Sequence, residues 1–116
     1  MSRCQLRRGK YNSHKVEVDG IIFASKLEAN RYMELKLYLR IGEITDLELQ
    51  PAFVLQEGFV RDGKRYQAIT YKADFRYREN GKVVVEDVKG YSKIKEYVIK
   101  KKLLLYKWPG IDFREV

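Results

Sequence analysis

The chain has 116 residues, 45% hydrophobic and 34% charged, with a formal net charge of +8. That length predicts one domain burying about two thirds of its unfolded surface, and without an apolar run near the roughly 20 residues of a membrane span, or an apolar leader, no membrane partner is expected. A single cysteine, Cys4, excludes an internal disulfide and fits a reducing, cytoplasmic setting, and a single histidine, His14, excludes a histidine metal cluster or a Ser-His-Asp triad within one chain.

Residues 1–15 hold Arg3, Arg7, Arg8, Lys10 and Lys15 with no acid, and residues 89–107 hold seven lysines against Glu96. The remaining residues carry a net −3, so positive charge is confined to the start of the chain and one late segment. This distribution favours a polyanionic partner, with an ordinary basic surface as the plain alternative. Residues 1–14 lack periodicity and read as a flexible basic arm, and residues 15–116 as a single folded domain.

Lys15 to Phe23 places Asp19-Gly20 between Val16-Glu17-Val18 and Ile21-Ile22-Phe23, the pattern of a tight hairpin. Ser25 then caps a helix to about Ile41, with Gly42 at its C′ position. Leu27, Tyr32, Leu35, Tyr38 and Leu39 form its apolar stripe, with Glu28 in the middle; Met33 and Leu37 lie opposite, available to a second packing surface or a dimer. Glu28 has two readings: it points into a site, or it closes a capping box with Ser25. Ile44 to Gln56 reads as one strand interrupted at Pro51, and Glu57 to Arg65 as a polar connection turning at Asp62-Gly63.

Gln67 opens a long strand leading into the most informative stretch, YKADFRYRENGKVVVEDVKG from Tyr71 to Gly90. Asn80-Gly81 is a strong hairpin signal, because a type I′ turn needs positive φ at both central residues. With those two as the loop, Asp74 faces Asp87 and Lys72 faces Lys89. Alternation puts Thr70, Lys72, Asp74 and Arg76 on one face with Val85, Asp87 and Lys89. Ile69, Tyr71, Ala73, Phe75, Tyr77, Val84 and Val88 take the other, where Glu86 is the intruder. Carboxylates opposed at about 5 Å repel by roughly 3 kcal/mol at an effective dielectric near 20. Relief comes from a hard divalent cation such as Mg²⁺ or Mn²⁺, or from a solvated face neutralised by Lys72 and Lys89.

Ser92 is placed to cap a second helix to about Lys107, ended by Pro109-Gly110. Its stripe is Ile94, Tyr97, Val98, Leu104, Leu105 and Trp108, with Lys101 inside it and Lys93, Lys100 and Lys107 along its flank. Ile111 to Val116 is a last strand, expected parallel to the strand ending at Lys89 because strand, helix, strand makes a right-handed crossover. The order ββ-α-β-ββ-α-β predicts an α/β fold, a mixed β-sheet flanked by two helices. If the first helix covers the face of Asp74 and Asp87, Glu28 arrives beside them and Lys89 completes the cluster.

Ala73-Asp74 and Asp87-Val88-Lys89, with a helical glutamate upstream, resemble the signature of the PD-(D/E)XK nucleases, Ala73 standing where that signature has proline. The segments VDGIIFASKLEANRYMELK, ITDLELQPAF, YKADFRY and VVVEDVKGYSK resemble a family of small phage proteins of unknown function assigned to that fold. They are also similar to the phage junction-resolving endonuclease I type and to the Tn7-like transposase endonuclease subunit. The likeness spans roughly residues 10 to 116. It implies a restriction-endonuclease-like core in which Asp74, Asp87 and the main-chain carbonyl of Val88 hold Mg²⁺ or Mn²⁺. It further implies that Glu28 supports the metal or its water, that Lys89 assists the attacking water or the scissile phosphate, and that Lys101 corresponds to a supporting basic residue on the following helix. A homodimer is implied by the need to cut two symmetric strands, as is the host-cell cytoplasm for a phage-encoded protein.

The expected activity is metal-dependent hydrolysis of DNA phosphodiesters, on branched or recombination DNA, with Glu28, Asp74, Asp87 and Lys89 catalytic. Arg7, Arg8, Lys10, Lys72, Lys93, Lys100 and Lys101 are expected to hold DNA through its phosphates, without reading sequence. Two other readings stay open: a DNA-binding accessory protein on a degenerate nuclease fold, and a subunit that meets another protein through Met33 and Leu37.

Overall fold

A computed structural model of the chain describes residues 15–88 and 94–116. Its reversals are set by Asx-Gly pairs: φ is +55° and +77° at Asp19 and Gly20, +54° and +76° at Asp62 and Gly63, and +52° and +77° at Asn80 and Gly81. Positive φ at both central residues is the type I′ geometry, whose twist matches that of the strands it joins. The first pair joins β1 (Val16–Val18) to β2 (Ile21–Phe23). Helix α1 (Lys26–Arg40) follows, with Ser25 Oγ accepting from the Glu28 backbone N–H at 3.2 Å. The helix ends as its sequence predicts: Gly42, at φ +84°, donates to the Leu39 carbonyl and Glu43 to the Tyr38 carbonyl, the paired bonds of a Schellman turn.

The strands β3 (Thr45–Leu49) and β4 (Ala52–Gln56) come next, then β5 (Phe59–Arg61) and β6 (Lys64–Tyr66). The segment read as a polar connection is thus a second tight hairpin, whose strands are too polar to announce themselves. The expected long strand is divided into β7 (Ile69–Lys72) and β8 (Phe75–Glu79), which the Asn80-Gly81 turn joins to β9 (Lys82–Asp87). Helix α2 (Lys95–Lys107), with Ile94 at its N-cap, leads to β10 (Asp112–Glu115). The cap read at Ser92 lies outside the described residues.

A four-stranded mixed sheet runs β10-β9-β8-β3, with β10 parallel to β9 as the crossover predicts and the other neighbours antiparallel. Strand β4 pairs with β7 in a two-stranded extension, and one register carries through: Leu49 faces Phe75 and Ala52 faces Lys72. Between them Gln50 N–H donates to the Asp74 carbonyl at 2.9 Å and Ala73 N–H to the Pro51 carbonyl at 3.0 Å. The ribbon is therefore continuous but sharply bent, because Gln50 sits at φ +50° and Pro51 has no N–H to keep the ladder regular.

The sheet is covered on both sides. Phe75, Tyr77, Val84 and Val88 pack with Ala29, Tyr32 and Leu35 of α1, whereas Val85 packs with Leu104 of α2 and with Phe53, Leu55, Tyr71 and Ala73. Adjacent residues Val84 and Val85 thus face opposite helices, and the centre of β9 reads Val83-Val84-Val85 without alternation because both of its faces are covered there. Helix α1 covers the face of Phe75, Tyr77, Val84 and Val88. One expectation is corrected here: Tyr71 and Ala73 leave the company of Phe75 and Tyr77, since the bend between them swings their side chains to the α2 side. Leu27, placed in the helix stripe by periodicity, is 57% exposed.

Candidate active site

The Asn80-Gly81 turn fixes a register in which Phe75 faces Glu86, and Asp74 N–H donates to the Glu86 carbonyl at 3.1 Å. The paired register ends there, because Asp74 N–H bonds to the carbonyl of Glu86 and not of Asp87; the two aspartates meet through their carboxyl groups rather than as the next pair of the ladder. Asp74 Oδ2 accepts from the Val88 backbone N–H at 2.7 Å, and its carboxyl lies within hydrogen-bonding reach of the Asp87 carboxylate. Burial pushes the Asp74 carboxyl up to about 8, and the charges of Glu28 and Asp87 add to the rise against the opposing Val88 bond. None of these influences is a cation. Of the two lysines that could neutralise the pair on a solvated strand face, Lys72 is exposed and Lys89 lies outside the described residues.

Glu28 reaches this place by a route the sequence does not show. It stands in the first turn of α1, and Asp74 meets it among residues of the α1-side cluster, Phe23 and Phe75. A cleft of about 160 Å³ is lined by Glu28, Asp74, Gln50 and the apolar side chains of Ile21, Phe23, Leu49 and Phe75. The capping role of Ser25 and the approach of Glu28 to Asp74 thus coexist: the Glu28 backbone takes the cap and its side chain lines the cleft.

A family model described as Protein of unknown function (DUF1064) matches residues 8–116. The chain belongs to that family. No curated protein matches it.

In this DUF1064 member the site is extended by residues that sequence reasoning missed. Tyr71 Oη donates to Asp87 Oδ2, and burial followed by that bond raises the phenol above its ordinary range. The Tyr71 and Tyr97 rings lie 6.3 Å apart, and Tyr97 Oη donates to Glu115, the parallel-strand neighbour of Asp87. Lys101 is accordingly not at the acid pair but one strand away, 3.3 Å from Glu115 Oε2. Glu86, the acid expected among apolar neighbours, is fully buried and held by Arg31, whose Nε and Nη2 reach its two oxygens at 2.8 and 2.6 Å, and by Tyr77 Oη. The signal for Arg31 was its position one helical turn before Leu35, on the covering face. Gln50, held at positive φ beside Asp74, had only its neighbour Pro51 to mark it.

Of the lysines read as DNA contacts, Lys100 pairs with Glu96 at 3.0 Å, and its flank neighbour Lys107 donates to the Val54 carbonyl at 3.0 Å. Arg7, Arg8, Lys10, Lys89 and Lys93 lie outside the described residues. A roomier cleft, about 690 Å³, runs past Glu48, Phe53, Arg76 and Trp108 and contains none of the predicted site residues. No group of three or more His, Cys, Asp or Glu side chains gathers at metal-binding spacing among the described residues. No helix among them is long and apolar enough to cross a membrane.

Proposed function

We propose that this protein is a metal-dependent DNA endonuclease of the PD-(D/E)XK type, acting on branched or recombination DNA. The observation that carries the reading is the buried Asp74 carboxyl beside that of Asp87, with Glu28 lining the same cleft as Asp74 and adding like charge. Such a cluster is costly in a protein that only folds, and it is what binding a hard cation requires. The donor set fits Mg²⁺ or Mn²⁺: two carboxylates and a backbone carbonyl, that of Val88, leave positions for water and a phosphate, and Mg²⁺ commonly keeps several waters while using one or two carboxylates. The bound ion would supply the lowered water pKa and the counter-charge that phosphodiester hydrolysis needs.

The chain's own residues then have distinct work. Asp74 and Asp87 orient the site; Val88 N–H fixes the Asp74 rotamer and Tyr71 that of Asp87. Glu28 polarises water in the cleft, and Lys89, two residues beyond Asp87, meets the scissile phosphate. Asp74→Asn should abolish cleavage of four-way, flapped, nicked or linear DNA in Mg²⁺ or Mn²⁺ while leaving circular dichroism and DNA affinity near wild type; full cleavage by this variant rejects the assignment. One rival, a DNA-binding accessory protein on the same scaffold, fits an acid pair that no third acid joins at metal-binding spacing among the described residues. It predicts DNA binding without hydrolysis on any of these substrates, and no Mg²⁺ binding heat that Asp87→Asn removes.

A further inference from the structure

The β5–β6 hairpin stands apart from both helices and from the main sheet. It is a two-stranded sheet of its own, and every residue from Glu57 to Thr70 is exposed. An isolated two-stranded ribbon is marginal in water, but the two arms of this one close tightly at its base, where a Cβ on Gly58 would lie 3.0 Å from the Tyr66 carbonyl oxygen. Phe59 faces Tyr66, and Arg61 faces Lys64. Alternation therefore puts two aromatic rings and two cations on one face, with Val60 and Arg65 on the other. The rings stack at 4.8 Å with 12° between their planes, and Lys64 Nζ lies 5.5 Å from the Tyr66 ring centre. Phe59 remains 44% exposed and Tyr66 40%, so the stack is open to a further layer.

We propose that this hairpin is a finger that binds an unpaired segment of DNA, a base stacking on the Phe59–Tyr66 pair while the flanking phosphates meet Arg61 and Lys64. Flat π faces interleaved with cations complement a strand that alternates bases and phosphates. A folded protein partner would instead call for a contiguous apolar patch, which two cations interrupt here. The inference rests on the reading of the protein as one that acts on DNA, and it deepens that reading: the acid pair gives hydrolysis, and the finger gives a preference for unpaired or distorted strands.

The test is binding without divalent cation, by fluorescence anisotropy, of Asp74→Asn protein to an oligo-dT strand and to a duplex. Combined Phe59→Ala and Tyr66→Ala substitution should lower single-strand affinity roughly tenfold or more, with duplex affinity held within about twofold. In a separate variant, Tyr66→Trp, the new indole emission should be quenched by the single strand more than by the duplex. Unchanged single-strand affinity in the aromatic variant, or no quenching of the Trp variant, overturns the finger. So does a wild-type dimer that the aromatic variant turns into a monomer with DNA affinity intact, since the hairpin would then meet a second copy. Because the readout needs no metal, single-strand binding through the hairpin in a protein that never cleaves overturns the hydrolytic reading alone. Cleavage with an indifferent hairpin overturns the finger alone.

Discussion

At the scale of single residues, Asp74 sets the protein's response to pH. Its folded-state pKa of about 8 stands above the ordinary 3.8, so between those values the folded protein holds a proton that the unfolded chain has lost. Stability contributed at low pH is then lost as pH rises through this window, the reverse of the usual carboxylate behaviour. Asp74→Asn keeps an oxygen for the Val88 N–H and removes the charge. In metal-free thermal scans the variant should match wild type near pH 4 and exceed it at pH 8, by about 4 °C or more; parallel curves across that range would show that the acid pair stores no strain. Arg31 behaves oppositely. It is the counter-charge of the fully buried Glu86, so Arg31→Met leaves a carboxylate uncompensated and should cost about 3–5 kcal/mol in urea titration. Arg31→Met with Glu86→Leu should recover most of that loss, because an apolar pair of similar volume removes the desolvation penalty along with the bond.

At the scale of elements, the bend between β7 and β8 sets Tyr71 on the α2 side, where it reaches Asp87, while Glu28 of α1 shares a cleft with Asp74. Part of this was legible. Asn80-Gly81 fixes the register from Glu79 and Lys82 to Phe75 and Glu86, and the crossover rule gives β10 its parallel place, because both depend on local chemistry and chain handedness. The swing of Tyr71 and Ala73 to the α2 side was not legible, since the residues from Ile69 to Tyr77 alternate without interruption. The cause lies on the paired strand, at Gln50 and Pro51, and reaches Asp74 through a register that no local pattern contains. The β5–β6 hairpin had its Asp-Gly signal, but its flanks lack the apolar alternation that marks a buried strand. Gln50 supplies the test. A non-glycine residue at φ +50° is strained, so Gln50→Gly should raise stability by about 1 kcal/mol. Because Gln50 lines the cleft with Asp74 and Glu28, the same change should lower Mg²⁺-dependent cleavage. A stabilised variant with undiminished cleavage would make the bend purely architectural.

At the scale of the whole molecule, the acids and the basic charge belong to different parts of the sequence, and each needs the other. An acidic cluster repels a phosphodiester unless a cation is bound there and the surrounding chain supplies positive potential. Several lysines of α2 are committed internally: Lys100 to Glu96, Lys101 to Glu115 and Lys107 to the Val54 carbonyl. The first fourteen residues, by contrast, hold Arg3, Arg7, Arg8 and Lys10 and no acid. Most of the salt-sensitive affinity should therefore come from that segment rather than from α2. Deleting residues 1–14 should reduce the slope of log K against log salt by up to about 3.6 for duplex DNA, at roughly 0.9 for each phosphate no longer neutralised. Lys101→Gln should leave the slope nearly unchanged, since that ammonium already faces Glu115, whose pKa is held low by Tyr97 and Lys101. A salt series on the intact chain, the deletion and Lys101→Gln separates the possibilities: a slope that survives the deletion but collapses in Lys101→Gln would put the phosphate track on α2 and detach the N-terminal segment from DNA altogether.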